Sequence, residues 1–179
     1  MDGSETTRNF AVTGAGRITD LNITVEFAKC DNPVLGPNGS NCLGVGTPFE
    51  NEFTLALIAP NGERVVLVSA FSTYQAGAAG TGAGRVSVHF DDEALAGLGT
   101  RVQAGSFRPR ESLSAFDGIA AAGSWSLYVR DFSRGDPLEF YSARLDITTD
   151  AAAAVPEPGA LALLGLGLLG LGAARRRRR

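Results

Sequence analysis

Three consecutive acids, Asp91, Asp92 and Glu93, end a stretch of alternating apolar and polar residues and form the densest group of hard oxygen ligands in the chain. Calcium is held by several such oxygens at once. The spacing is not that of an EF-hand, however, and adjacent carboxylates do not project in one direction, so a solvated acidic run at a turn is the plainer alternative. Hydrolysis by a Ser/His/Asp triad would need His89, the only histidine. Ser87 lies two residues away on the same strand face, but no Gly-x-Ser-x-Gly elbow is present to present a nucleophile. We therefore expect no enzyme activity and read His89 as a solvated strand histidine. Cys30 and Cys42 flank a loop rich in Pro, Gly and Asn. In an oxidising compartment they are expected to close it as a disulfide, with two unrelated thiols as the alternative. Two cysteines and one histidine are too few for a structural zinc site.

The elements that would position these groups alternate with period two, the signature of half-buried strands. Leu21, Ile23, Val25 and Phe27 form one apolar face. Phe53, Leu55 and Leu57 form another, and Pro60-Asn61-Gly62 turns that strand into residues 65–68. Val86, Val88 and Phe90 alternate with Ser87, His89 and Asp91. Trp125, Leu127 and Val129 follow the same rule, as do Tyr141, Ala143, Leu145 and Ile147. The expected fold is all-β, an antiparallel β-sandwich. Trp125 is expected as a core anchor, with an exposed ligand-stacking role as its alternative. Residues 1–16 are polar, without an apolar core of the kind a signal peptide carries, and are expected to be a flexible N-terminal segment, with any export leader lying upstream.

Only one of the 16 basic residues, Lys29, is a lysine. Five of the arginines form the block Arg175, Arg176, Arg177, Arg178 and Arg179; without it the formal charge of −3 becomes five units more negative. So acidic a body excludes nucleic acid as a partner, since phosphate binding needs a basic face.

With these elements in place, the body resembles the P domain (Homo B domain) of kexin- and furin-like proprotein convertases. Six pieces carry the resemblance in the family's order: Ile18-Thr19-Asp20-Leu21-Asn22-Ile23, Phe53 through Gly62, Phe90-Asp91-Asp92-Glu93-Ala94, Phe107-Arg108-Pro109, Leu113-Ser114-Ala115-Phe116-Asp117-Gly118, and Gly123 through Asp131. The resemblance implies a β-sandwich of jelly-roll type over residues 17–149. It also puts Asp20 and Asp131 in family-like positions, so the candidate calcium set becomes Asp20, Asp91, Asp92, Glu93 and Asp131. The chain departs from the family between Phe27 and Glu52, where the Cys-flanked loop replaces a short connection. A separate catalytic domain precedes the P domain in convertases; the body is expected to act here without one.

After a linker at 150–154 come Val155, Pro156, Glu157, Pro158 and Gly159, then an Ala/Leu/Gly run through residue 174, then the five arginines. As a helix, 159–174 would be about 24 Å long, close to the ~30 Å hydrocarbon core once flanking arginines snorkel. The short transmembrane helix would leave the arginines cytoplasmic and the body outside. Prolines on both sides of Glu157 keep the preceding chain extended. This region resembles the PEP-CTERM sorting signal, read by an exosortase in bacteria that make exopolysaccharide; a plain single-span anchor is the alternative. The resemblance implies an exported protein with an inner-membrane intermediate, then a place at the cell surface or in the extracellular matrix. Expected partners are the exosortase, the membrane before processing, and exopolysaccharide or surface proteins. The alternative role is an accessory domain acting in trans on a separate subtilisin-like protease.

Overall fold

The computed structural model describes residues 1–31, 47–76 and 84–151. The described chain forms β1 (Glu5–Val12), β2 (Ile18–Lys29), β3 (Phe53–Ile58), β4 (Arg64–Val68), β5 (Arg85–Phe90), β6 (Gly105–Phe107), a 3₁₀ turn (Leu113–Phe116), β7 (Gly123–Asp131) and β8 (Leu138–Thr149). These strands make two four-stranded sheets, ordered β1-β7-β3-β4 and β6-β5-β2-β8. One apolar cluster draws side chains from both sheets, so the fold is a β-sandwich with a shared core.

The alternation places the inward residues as expected. Leu21, Ile23, Val25 and Phe27 of β2, Val86, Val88 and Phe90 of β5, Phe53, Leu55 and Leu57 of β3, and Trp125, Leu127 and Val129 of β7 are all buried. Phe27 and Phe53 meet across the two sheets at 5.3 Å between ring centroids. The β3–β4 hairpin turns where Pro60-Asn61-Gly62 predicts. Gly62 takes a φ of +89°, which a side chain would resist, and the Asn61 side-chain oxygen accepts the Glu63 N–H at 2.9 Å.

Three expectations need correction. The sheets are not wholly antiparallel: β5 and β6 run parallel, because the chain between Phe90 and Gly105 crosses back before pairing. Residues 1–16 are not simply a flexible segment, since β1 pairs with β7 in unbroken register from Glu5 opposite Arg130 to Val12 opposite Gly123. Tyr141 does not share a face with Ala143, Leu145 and Ile147. The β2–β8 register shifts between Glu26 and Phe27, which pair with Ser142 and Phe140, leaving Tyr141 as the extra residue of a bulge. Phe140 then packs on the core, while Tyr141 lies against Ala28 and Cys30 on the other face.

Cys30 is buried and its thiol is not free. Cys42 lies outside the described residues, as do Val155 through Arg179 and the expected membrane helix at 159–174. Among the described residues no helix is long and apolar enough to cross a membrane.

Trp125 resolves to the core anchor. It is inaccessible to solvent, meets Phe116 edge to face at 5.1 Å, and its indole N–H donates to the Ala121 carbonyl at 2.9 Å. Trp125→Ala is expected to lower the unfolding free energy by about 3–5 kcal/mol, the usual range for emptying an aromatic core site. Urea unfolding followed by far-ultraviolet circular dichroism measures this, and an unchanged midpoint would contradict the assignment.

Candidate functional site

β2 works as a ruler for the polar groups. Asp20 and Lys29 lie nine residues apart on it, about 30 Å at ~3.3 Å per extended residue. The charged residues therefore divide between two ends of the sandwich.

At the Asp20 end, β5 runs out into Asp91, Asp92 and Glu93. Each carboxylate already has structural work. Asp91 accepts the Glu93 N–H at 2.7 Å, closing a local turn. Asp92 accepts the backbone N–H groups of Leu113 at 3.1 Å and Ser114 at 2.9 Å, and the Ser112 hydroxyl, thereby capping the 3₁₀ turn. Asp20 accepts the Asn22 side-chain amide at 3.2 Å. The Glu93 carboxyl is raised above its ordinary range by its hydrogen bond to the Asp91 side chain, with the charges of Asp20 and Asp91 adding to the effect. This is an acidic rim under mutual repulsion.

Asp131 is at the other end, so the five-residue calcium set is not assembled. Its position at the end of β7 places it beside Lys29, and its two oxygens each lie 3.2 Å from the Lys29 Nζ. Both side chains are almost wholly out of water, at 1% and 0% exposure. Nζ also lies 3.6 Å from Glu52 Oε2 and donates to the Asp136 carbonyl. Asp131 further accepts the Leu138 N–H at 2.9 Å and the Ser133 N–H at 3.4 Å. Burial pushes the Asp131 carboxyl above its ordinary range, against the opposing pull of Lys29 and these donors. Among the described residues no group of three or more His, Cys, Asp or Glu side chains is placed to hold a metal.

The pairing of Lys29 with Asp131 was not anticipated, yet strand parity carries it. Lys29 continues the inward series Leu21, Ile23, Val25, Phe27, and Asp131 continues Trp125, Leu127, Val129. Two inward positions of opposite charge, each ending a buried strand, are a legible signal. A second buried carboxylate, Glu50, is held by Arg101 Nε at 2.7 Å and the Val102 N–H at 2.9 Å. Nearby Tyr74 has its phenol raised by burial and by the Glu50 charge.

His89 pairs across the sheet with Thr24, whose hydroxyl lies 3.0 Å from Nδ1. Above the Lys29 end, Phe71 and Phe132 stand out from the surface at 61% and 40% exposure and meet edge to face at 5.7 Å. The Arg130 guanidinium covers the Phe132 ring at 4.2 Å. Phe71 holds a φ of +59°, unusual for a bulky residue, and its N–H donates to the Asn51 carbonyl at 2.6 Å. A polar cleft of about 320 Å³ lies between Ser72, Thr73, Leu98 and Arg110; among the described residues no carboxylate or histidine lines it.

The family model of the PEP-CTERM protein-sorting motif matches residues 154–179. The chain thus carries a sorting motif that marks an exported protein processed by an exosortase, with a membrane-anchored intermediate and a fate at the bacterial cell surface. No curated protein matches the chain. Among solved structures it is similar to a chain of the Aeromonas sobria serine protease (ASP) complex with the chaperone ORF2. That match has 16% identity and a TM-score of 0.47, and covers 84% of this chain and 24% of that one. The serine protease of Aeromonas sobria alone gives 15% identity and a TM-score of 0.42, over 82% and 24%. The chain spans about 24% of the length of these structures.

The acidic rim makes a prediction whose sign is fixed. A carboxyl raised on folding favours the folded state when protonated, and that contribution is lost as pH rises through its folded value. Glu93→Gln should therefore raise the Tm at neutral pH. The gain should shrink as pH falls through the ordinary glutamate range, where wild-type Glu93 is itself neutral. Thermal melts at several pH values measure this, and a gain that grows toward acid would contradict it.

Proposed function

We propose that this chain is a non-enzymatic surface or matrix module, exported, held briefly in the inner membrane by a helix at 159–174, and released by an exosortase acting near Pro156-Glu157-Pro158. The observation that carries this reading is the order of three parts in one stretch: the Pro-Glu-Pro motif, the apolar run and Arg175 through Arg179. The body is a jelly-roll-type sandwich of the P-domain kind. Its ligand is an extracellular polysaccharide or another surface protein.

Several features of the body support this. His89 is engaged by Thr24, a hydroxyl, and its strand neighbour Ser87 faces Glu26 in the register, an arrangement that activates no nucleophile. The exposed pair Phe71 and Phe132 gives an aromatic surface of the sort that stacks on sugar rings or protein side chains. The acidic body stays soluble outside the cell and is repelled by anionic surfaces. A Cys30–Cys42 disulfide suits the same destination. The 11-residue loop it closes, 31–41, would bring about 3 kcal/mol by restricting the unfolded chain.

The mature protein, isolated from its native host, is expected to lack all five terminal arginines, with a mass ending near 156–158. Intact-mass spectrometry measures it, and a surface form that keeps Arg175 through Arg179 would overturn the sorting reading. Thiol titration of the unfolded, unreduced protein should find no free cysteine, and reduction should release two. Two thiols before reduction would remove the disulfide from the proposal.

A further inference from the structure

Lys29, Asp131 and Glu52 bring together an amine, a carboxyl group and a second carboxylate in a pocket nearly closed to water. We propose that Lys29 and Asp131 condense spontaneously into an intramolecular isopeptide bond, with Glu52 carrying the proton, so that β2 of one sheet is covalently joined to β7 of the other. This inference rests on the geometry of the folded body and is independent of the sorting reading.

The arrangement meets the needs of amide formation in turn. Nζ stands the same 3.2 Å from both Asp131 oxygens, so it lies on the midline of the carboxyl group, in direct contact with the group whose Cγ it would attack. Burial favours the protonated, neutral form of Asp131, and its carboxyl is shifted in that direction. Once the ammonium has passed a proton to Asp131, the Nζ lone pair attacks Cγ and forms the C–N bond. The charge then developing on Oδ2 faces the Leu138 N–H at 2.9 Å, a donor fixed by the backbone. Glu52, 3.6 Å from Nζ, takes one proton from the nitrogen and delivers it to the hydroxyl on Oδ1. The C–O bond breaks, the carbonyl reforms at Oδ2, one water leaves, and Glu52 returns to its starting carboxylate. No oxidant, nucleotide or metal enters the balance.

The product also suits its surroundings. Two charges removed from water become one neutral amide, ending the desolvation penalty of a buried pair. The new carbonyl oxygen keeps the Leu138 N–H, and the remaining amide N–H points to the Asp136 carbonyl that Nζ already meets. The site lies at strand ends, where a bond between sheets resists peeling and proteolysis most directly.

The test is tryptic peptide mapping of the reduced full-length protein, with circular dichroism confirming the fold. The wild type is expected to resist cleavage after Lys29 and to yield residues 18–64 joined to residues 131–134, lighter than the sum of the two peptides by one water. Glu52→Gln should keep the fold yet lower the joined peptide by about tenfold or more, as loss of a proton carrier does. Lys29→Arg should abolish the joined peptide. A folded wild type that releases free 131–134 and cleaves fully after Lys29 would overturn the proposal. Equal cross-linking in wild type and Glu52→Gln would overturn the role given to Glu52.

Discussion

An ammonium and a carboxylate that share a dry interior must satisfy each other and nearly every remaining donor and acceptor around them, or the fold loses more than burial gains. Lys29 and Asp131 impose that condition on a whole end of this sandwich. The Asp131 N–H donates to the Ser4 carbonyl, the Phe132 N–H to the Glu52 carbonyl and the Cys30 N–H to the Pro137 carbonyl, all within 2.8–2.9 Å. The Leu138 N–H is shared between Asp131 Oδ2 and the Met1 carbonyl, while the Met1 amine returns a bond to the Leu138 carbonyl at 2.6 Å. Four separated parts of the chain thus converge on one ion pair. Breaking a pair of this kind by deleting one partner typically costs about 3–5 kcal/mol, because the survivor is left charged and buried.

The same constraint explains why β2 dominates the architecture. It is the one described strand that pairs along nearly its full length with β8 and also along half of it with β5, so the second sheet is built outward from it. Its inward residues fill the middle of the core, and its last inward position is Lys29. A strand that carries both the apolar spine and the buried cation cannot slip by one residue. Slippage would turn Ile23, Val25 and Phe27 outward and would also strand the Asp131 charge. Apolar burial and electrostatics therefore select the same register.

How much of this could be read from the residues follows from what each element needs. β2, β3, β5 and β7 bury one face, so their apolar residues alternate and betray them. β1 is an edge strand whose Glu5, Thr7, Arg8 and Asn9 face solvent, and it joins the sheet mainly through backbone pairing with β7. Backbone hydrogen bonding leaves no trace in side-chain type, which is why β1 is invisible in the sequence. β6, three residues long, gives too short a pattern to detect. Tyr141 leaves the face that alternation predicts for it because a bulge resets parity, and nothing in Phe140-Tyr141-Ser142 announces one. Asp131 looked like one member of an acidic set because family position carried no information on which end of the sandwich it occupies. Its strand parity, taken together with that of Lys29, carried the better information.

The identity of residue 29 deserves an explanation of its own, since the chain uses arginine at every other basic position. At the surface that preference is understandable: guanidinium groups lie over Tyr141, Phe132, Tyr128 and Phe140, where a flat cation stacks well. An interior position between Asp131, Glu52 and the Asp136 carbonyl asks for something different. Three acceptors gathered around one point match the three hydrogens of an ammonium, whereas a planar fork with five N–H groups would leave donors unmatched. Compositional bias would put arginine there as elsewhere, so the lysine must be held by geometry. The consequence reaches beyond packing, because an ammonium can become a nucleophilic amine and a guanidinium does not lose its charge. The lone lysine is thus the one basic side chain of this protein equipped to form a covalent bond, and it is placed against a carboxyl group in the other sheet.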